Sequence, residues 1–359
     1  MWKRKTERNG SERRELLFRV TIPAQTTASH SWEYGVVFEA LLEHHDPSAT
    51  VFNTPTPQHK PHQSHPEREV KALDYISPFV RTTTTTLCDG NGSSADPASL
   101  GIPTVLLHAA DPSAGYLAAA RRQIEHVLTA VPRLPNGAIS HREVAASAWA
   151  DFVYMVPPFL AYYGVCTDEE EMVREAVRQC CLYCDRVSGE RGGDDRGLWS
   201  TSNGWAAAGM ARVLATVRGS RLAEQMREEQ RWLVKMIEGI VGGAMAFDTD
   251  ASGLLRNYLD DETWWGKVSG TALLAATVFR MAVLEPDVFG SKHTDWALQK
   301  METVRRCISE ETGVASPAVN PLKESQRTPL EGVSPEGQAF VVLMYTAWRD
   351  WTQKDLLSP

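Results

Sequence analysis

Residues 149–164 read WADFVYMVPPFLAYYG, a stretch in which Asp151 is the one charged side chain. A helix apolar on every face must be buried, whereas one with a single apolar stripe lies at a surface. Five other segments share this character, each with an aromatic or acidic residue near its start: WEYGVVFEALL from Trp32, DPASLGIPTVLL from Asp96, NGWAAAGMARVL from Asn203, GKVSGTALLAATVFRMA from Gly266 and SPEGQAFVVLMYTAW from Ser334. They recur roughly every 50–70 residues. Between them, segments 67–80, 114–131, 168–187, 221–240 and 294–308 show the 3.6-residue amphipathic period with a charged face.

This alternation predicts an all-α fold, an (α/α)6 barrel with six inner helices wrapped by an outer ring. Five outer helices are legible, and the sixth place falls to the N-terminal segment or stays incomplete. An α-solenoid is the alternative, but its two layers rarely differ so much in polarity. Length alone suggests two or three domains for 359 residues. The repeat argues instead for one barrel over residues 28–352, an N-terminal extension at 1–27 and a tail at 353–359. Phe18–Ile22 is the one strand candidate.

Segments 53–66, 82–95, 134–147, 188–202, 242–265 and 311–333 are long and rich in Gly, Pro, Ser and Asp. Connections of that length in a compact domain are usually functional. If each leads into the start of an inner helix, all emerge on one rim. That mouth, at the positive ends of the inner helix dipoles, is the expected site and favours anions.

A net charge of −8 argues against a nucleic-acid partner. No apolar run approaches the roughly 18 residues of a membrane span. Lys3, Arg4, Lys5, Arg8, Arg13 and Arg14 precede only a short apolar stretch, so no signal peptide is read and the expected location is cytoplasmic. Six cysteines are too few for a disulfide framework. Cys180, Cys181 and Cys184 lack a second Cys/His pair at finger spacing and read as packing, not zinc. His59, His62 and His65 stand three apart in a Pro/Gln-rich loop, a weak metal pattern. The Gly/Ser stretch at 89–94 has no lysine after it and is no phosphate loop. No metal or organic cofactor is expected.

Asp151 begins an inner helix between Trp149 and Phe152, with Tyr154 beyond. Aromatic surroundings desolvate a carboxyl group and raise its pKa, as a general acid near neutral pH requires. The plainer role is neutralising the helix start.

The string SHR, six residues, then WADFVYMVPPFLAYYG resembles the core of the unsaturated uronyl hydrolases, glycoside hydrolase families 105 and 88. The likeness continues in GLWSTSNGWAAAGMARVL, similar to the family's Leu-Trp-x-Arg-Gly-x-Gly-Trp stretch, and in VSGTALLAATVFRMA and SPEGQAF. It runs from about Trp32 to Trp351. The resemblance implies a six-hairpin (α/α)6 fold and a hydration reaction on oligosaccharides ending in a 4,5-unsaturated uronic acid. The family's acid falls on Asp151, and a second family aspartate falls best on Asp96, whose plainer role is a helix cap before Pro97. His141 and Arg142 then become candidate ligands for ring hydroxyls and the uronate carboxylate. Trp149, Trp205, Trp32, Tyr34, Tyr154 and Asn203 become candidate pocket residues.

Two departures stand out. Thr201 occupies the place of a common family arginine, and a hydroxyl cannot replace a guanidinium fork. Lys267 stands where an acidic residue is often found and is expected to restore a positive charge to the rim. Two rivals remain: a barrel recruited to isomerise or cyclise a small metabolite, and a sugar-binding protein without turnover. The expected partner is an oligosaccharide or small-molecule substrate; the sequence carries no signal for an oligomeric state.

Overall fold

The computed structural model describes residues 2–52, 70–189, 197–323 and 326–355. Six inner helices are present: α2 (Ser31–His45), α4 (Gly101–Ala110, entered through a 3-10 turn at Asp96–Leu100), α6 (Phe152–Thr167), α8 (Ser200–Arg218), α10 (Val268–Leu284) and α12 (Pro335–Asp355). Each packs on its neighbours in that order, α2 meeting α4 through the 3-10 turn, and α12 returns to α2, which closes the ring. The outer helices are α1 (Trp2–Thr27), α3 (Ala72–Ile76), α5 (Tyr116–Thr129), α7 (Glu170–Gly189), α9 (Arg227–Ala246) and α11 (Ser291–Arg306). They lie on α12, α2, α4, α6, α8 and α10 respectively.

The polarity contrast read from the sequence is the cause of this layering. Every residue of α10 from Val268 to Ala282 is buried, whereas α7, α9 and α11 bury one stripe. Close approach inside the ring depends on small residues. A Cβ on Gly209 would lie 2.2 Å from the Val153 carbonyl oxygen, so α6 and α8 touch only because this position is glycine.

The far end of the ring carries a buried ion network. Arg212 of α8 donates to Glu39 and Glu43 of α2, both at 2.7 Å. Arg280 of α10 reaches Glu43 at 2.6 Å and Asp350 of α12 at 2.5 Å. Four inner helices are thus tied by mutually satisfied charges, whose value lies in fixing register more than in net stability.

Phe18–Ile22 is helix, not strand. Leu17, Val20 and Ala24 are buried on one face of α1, and Thr21 Oγ1 donates to the Leu17 carbonyl at 2.6 Å. Spacings of three and four turn that face onto α12, so α1 fills the sixth outer place. Two helices run further than read: α7 reaches Gly189 and α9 reaches Ala246. Among the described residues the one ladder is antiparallel and short, pairing β1 (Leu255–Arg256) with β2 (Gly266–Lys267) just before α10. Segment 53–66 lies, with His59, His62 and His65, outside the described residues. In chain order it joins α2 to the outer helix α3, so it does not lead into an inner helix. Cys180 and Cys184 are buried on α7, with Cys184 Sγ 3.8 Å from Met210 Sδ. No described helix is long and apolar enough to cross a membrane.

Candidate active site

The starts of all six inner helices converge at one end of the ring, and each brings a polar group. They are Trp32 and Glu33 on α2, Asp96 before α4, Asp151 before α6, Ser202 on α8, Lys267 before α10 and Glu336 on α12. Two loops that carry the aspartates are joined to each other. Ser94 N–H donates to the His141 carbonyl at 2.9 Å, and Ser94 Oγ donates to the Ser140 carbonyl at 2.5 Å. Ser140 Oγ accepts the N–H groups of Arg142 and Ser147, both at 3.0 Å, which folds segment 140–147 tightly. Outside, His126 of α5 meets Glu143 at 2.9 Å and holds this loop to the outer layer.

Asp151 stands immediately before α6 and keeps partial solvent access at the mouth, while its carboxyl is set among protein groups. Burial pushes that carboxyl up to about 6. A hydrogen bond from Ser202 Oγ at 3.3 Å and the charges of Lys267 and Arg142 oppose the rise. Asp96 opens the 3-10 turn, is 7% exposed, and donates its N–H to Ser93 Oγ at 3.1 Å. Burial pushes it up to about 7; a Ser93 hydrogen bond opposes that and the charge of Asp151 adds to it. The two carboxyls therefore share one electrostatic field, the arrangement in which protons are held near neutrality.

His141 Nε2 lies 3.2 Å from Ser93 Oγ and 3.7 Å from Asp96 Oδ1. Burial lowers the ring to about 3, so it is neutral at ordinary pH, and its Nδ1 is buried without a partner. Arg142 lies over the Trp149 ring at 5.3 Å, and no carboxylate among the described residues comes within 4 Å of it. Trp32 Nε1 donates to Glu336 Oε2 at 3.3 Å. Lys267 is buried beneath the mouth, its Nζ donating to Asn257 Oδ1 at 2.6 Å.

The structure thus brings together Asp151, Asp96, His141, Arg142, Trp149, Trp32 and Lys267. The other expected residues lie outside that group, although Tyr154 and Trp205 line a small cavity together with Trp32. Tyr154 and Trp205 are buried deeper on the axis, edge to face at 4.5 Å, with Trp205 also edge-on to Phe340. Thr201 is wholly buried, with Oγ1 3.2 Å from Ser269 Oγ in the α8–α10 contact. Asn203 spends its amide on the Trp199 carbonyl one turn earlier, at 2.9 Å. Tyr34 is stacked on Phe79 at 3.9 Å.

Three groups at the mouth escaped the sequence reading. Ser93 lay inside the Gly/Ser stretch set aside as no phosphate loop, and Ser202 inside LWSTSNGW. Glu336 is fully enclosed, and burial raises its carboxyl. Its signal was an acid directly after Pro335 at a helix start, which reads equally well as ordinary dipole compensation.

Residues 13–190 match the family model of Glycosyl Hydrolase Family 88. Over 246 residues the chain is 23% identical to the unsaturated rhamnogalacturonyl hydrolase YesR of Bacillus subtilis, covering 62% of this chain and 66% of that enzyme, just under two thirds of its length. A possible member of glycoside hydrolase family 105 from Klebsiella pneumoniae superposes with TM-score 0.72 at 16% identity, covering 95% of this chain and 94% of that one. Another, from Salmonella enterica, gives 0.69 at 17% identity, covering 94% of each. At such identities the structural likeness speaks for the fold alone, the (α/α)6 toroid. Over residues 13–190 the chain is similar to Glycosyl Hydrolase Family 88, and over most of its length it shares the (α/α)6 toroid fold of the family 105 structures.

Proposed function

We propose that this hydrolase removes a 4,5-unsaturated uronic acid from the non-reducing end of oligosaccharides left by a polysaccharide lyase. The observation that carries the reading is Asp151, a carboxyl held near neutrality at the mouth with a second raised carboxyl, Asp96, in its field. Such an acid keeps its proton at a pH where free aspartate has lost it.

The proton of Asp151 adds to C4 of the enol ether, and positive charge develops at C5. Water adds at C5 and returns a proton to the Asp151 carboxylate. The resulting hemiketal opens to a ketone, C1 is left as a hemiacetal, and the sugar leaves as its alcohol. An enol ether is already activated, so one acid/base group serves both transfers. The two-carboxylate scheme of ordinary glycosidases is not needed. Asp96 assists by holding water or a ring hydroxyl. Arg142, with no carboxylate within 4 Å among the described residues, is the fork for the uronate, and Trp149 and Trp32 offer faces for the ring.

The test is a panel of unsaturated disaccharides from rhamnogalacturonan, chondroitin and heparin, each with its saturated counterpart. Loss of the ultraviolet band of the conjugated double bond with at least one unsaturated member, and no cleavage of any saturated one, is the expected result. Cleavage of saturated sugars with the band intact would refute hydration.

A further inference from the structure

His141 has no part in the reaction above, although its sequence position suggested a ligand for sugar hydroxyls. An antiparallel bridge between Ser93 and Arg142 joins the loop before α4 to the loop before α6. Glu143 N–H extends it by donating to the Gly92 carbonyl at 3.1 Å, and His141 N–H donates to the Ser147 carbonyl at 2.8 Å. Backbone pairing thus sets the His141 ring beside Ser93. The residue is 5% exposed and its Nδ1 is buried without a partner. Nε2 is turned to Ser93 Oγ at 3.2 Å and to Asp96 Oδ1 at 3.7 Å. Neither nitrogen is left over for a sugar: one is sealed off and the other is engaged.

Ser93 is equally committed. Its Oγ accepts the N–H groups of Asp96 at 3.1 Å and of Ala95 at 3.3 Å, which fills both lone pairs of the hydroxyl. Its proton must then be given away, and two acceptors stand within reach. They are His141 Nε2 and the Asp96 carboxyl, whose ionised form a Ser93 hydrogen bond favours. Either tautomer of a neutral ring serves this unit. With Nε2 bare it accepts from Ser93; with Nε2 protonated it faces the Asp96 carboxylate.

We propose that His141 is a positioning residue for Asp96, acting through Ser93, and not a ligand for the substrate. Its bearing on catalysis rests on Asp96 being the assisting carboxyl of the reaction above. Asp96 opens a 3-10 turn of only five residues, whose hydrogen bonds are poorer than those of an α-helix. Such a turn needs an outside anchor, and Ser93 supplies it by holding the turn's first N–H groups while His141 holds Ser93. The demand for precision is real, because a misplacement of about 1 Å can cost about 10² in rate. A neutral ring also suits the place. An imidazolium there would pair with Asp96 and keep it ionised, whereas burial keeps this ring uncharged.

The experiment pairs kinetics on an unsaturated disaccharide with NMR titration of the Asp96 carboxyl carbon, assigned by its loss in Asp96→Asn. In His141→Phe and Ser93→Ala, kcat is expected to fall about tenfold or more while KM stays within a few-fold. His141→Gln, which keeps a polar group near the place of Nε2, should recover most of the loss. The Asp96 midpoint should rise in Ser93→Ala, since the hydrogen bond that favours the carboxylate is gone; Asp151 and Arg142, the other charges acting on it, are untouched. In the wild type, which covers the case of variants that fail to fold, the nitrogen shift of His141 Nε2 should move with the Asp96 carbon at one shared midpoint. A raised KM with unchanged kcat in the His141 variants overturns the proposal, because it would make the ring a sugar ligand. So does an Nε2 shift that stays flat while Asp96 titrates. The titrations need no turnover, so they decide the role of His141 even if every disaccharide proves inert.

Discussion

Ser202 Oγ stands 3.3 Å from Asp151 Oδ1, so the first turn of α8 aims the carboxyl that precedes α6. The bond favours the ionised form while burial favours the protonated one, and the balance falls at about 6. The acid is therefore set by two helices and the walls around them, and its behaviour with pH follows.

The acid must carry its proton to react. Turnover is expected to be level at low pH and to fall as pH rises through about 6, with Asp96, at about 7, adding a second and gentler loss. A kcat/KM profile on an unsaturated disaccharide checks this; activity that rises between pH 6 and 8 would contradict the assignment.

Asp96 makes a prediction for stability. Its value is raised from 3.8 to about 7 in the folded chain, so its stabilising contribution is full below about pH 4 and lost as pH rises through 7. The gap corresponds to roughly 4 kcal/mol as an upper bound. Asp96→Asn removes the titration, so its Tm relative to wild type should be higher at pH 8 than at pH 4. A difference in Tm that does not change with pH would rule this out.

The floor of the ring predicts the opposite kind of loss. Arg212→Met leaves Glu39 buried without its cation and strips Glu43 of one of its two, Arg280 being the other, at a cost of about 3–5 kcal/mol. Thermal unfolding should register it as a large drop in Tm, while the pH midpoint of turnover stays where it was. A neutral Tm would show that the network adds nothing.

Thr201 tests whether restoring a guanidinium at that sequence position restores a function. Its side chain is wholly enclosed against Ser269, so Thr201→Arg must push α8 from α10 or bury a charge. The expectation is a loss of about 3 kcal/mol or more and no gain in affinity for uronates. Tighter uronate binding would mean that position 201 reaches the mouth after all.

The inner ring was legible because burial on all sides leaves a plain mark: segments such as WADFVYMVPPFLAYYG have no polar stripe to place at a surface. The outer helix α1 left a weaker mark, since its buried face is only Leu17, Val20 and Ala24 amid charged neighbours. Asp151 and Asp96 were legible as acids at the starts of buried helices. Which way a side chain turns was not. Thr201 and Ser202 are adjacent, yet one faces α10 and the other meets Asp151, and only the helix phase decides between them. Glu336 shows the same limit, because an acid in a first helical turn has a local explanation whether or not other carboxyls gather around it.

The most direct test of the central claim compares Asp151→Asn with the wild type at pH 6, on whichever unsaturated disaccharide loses its ultraviolet band. The amide keeps the shape of the carboxyl and removes its proton donation. The expected result is that kcat falls by about 10²–10⁴-fold while KM stays within a few-fold and the Tm does not drop. Activity within tenfold of wild type in the folded variant would contradict it.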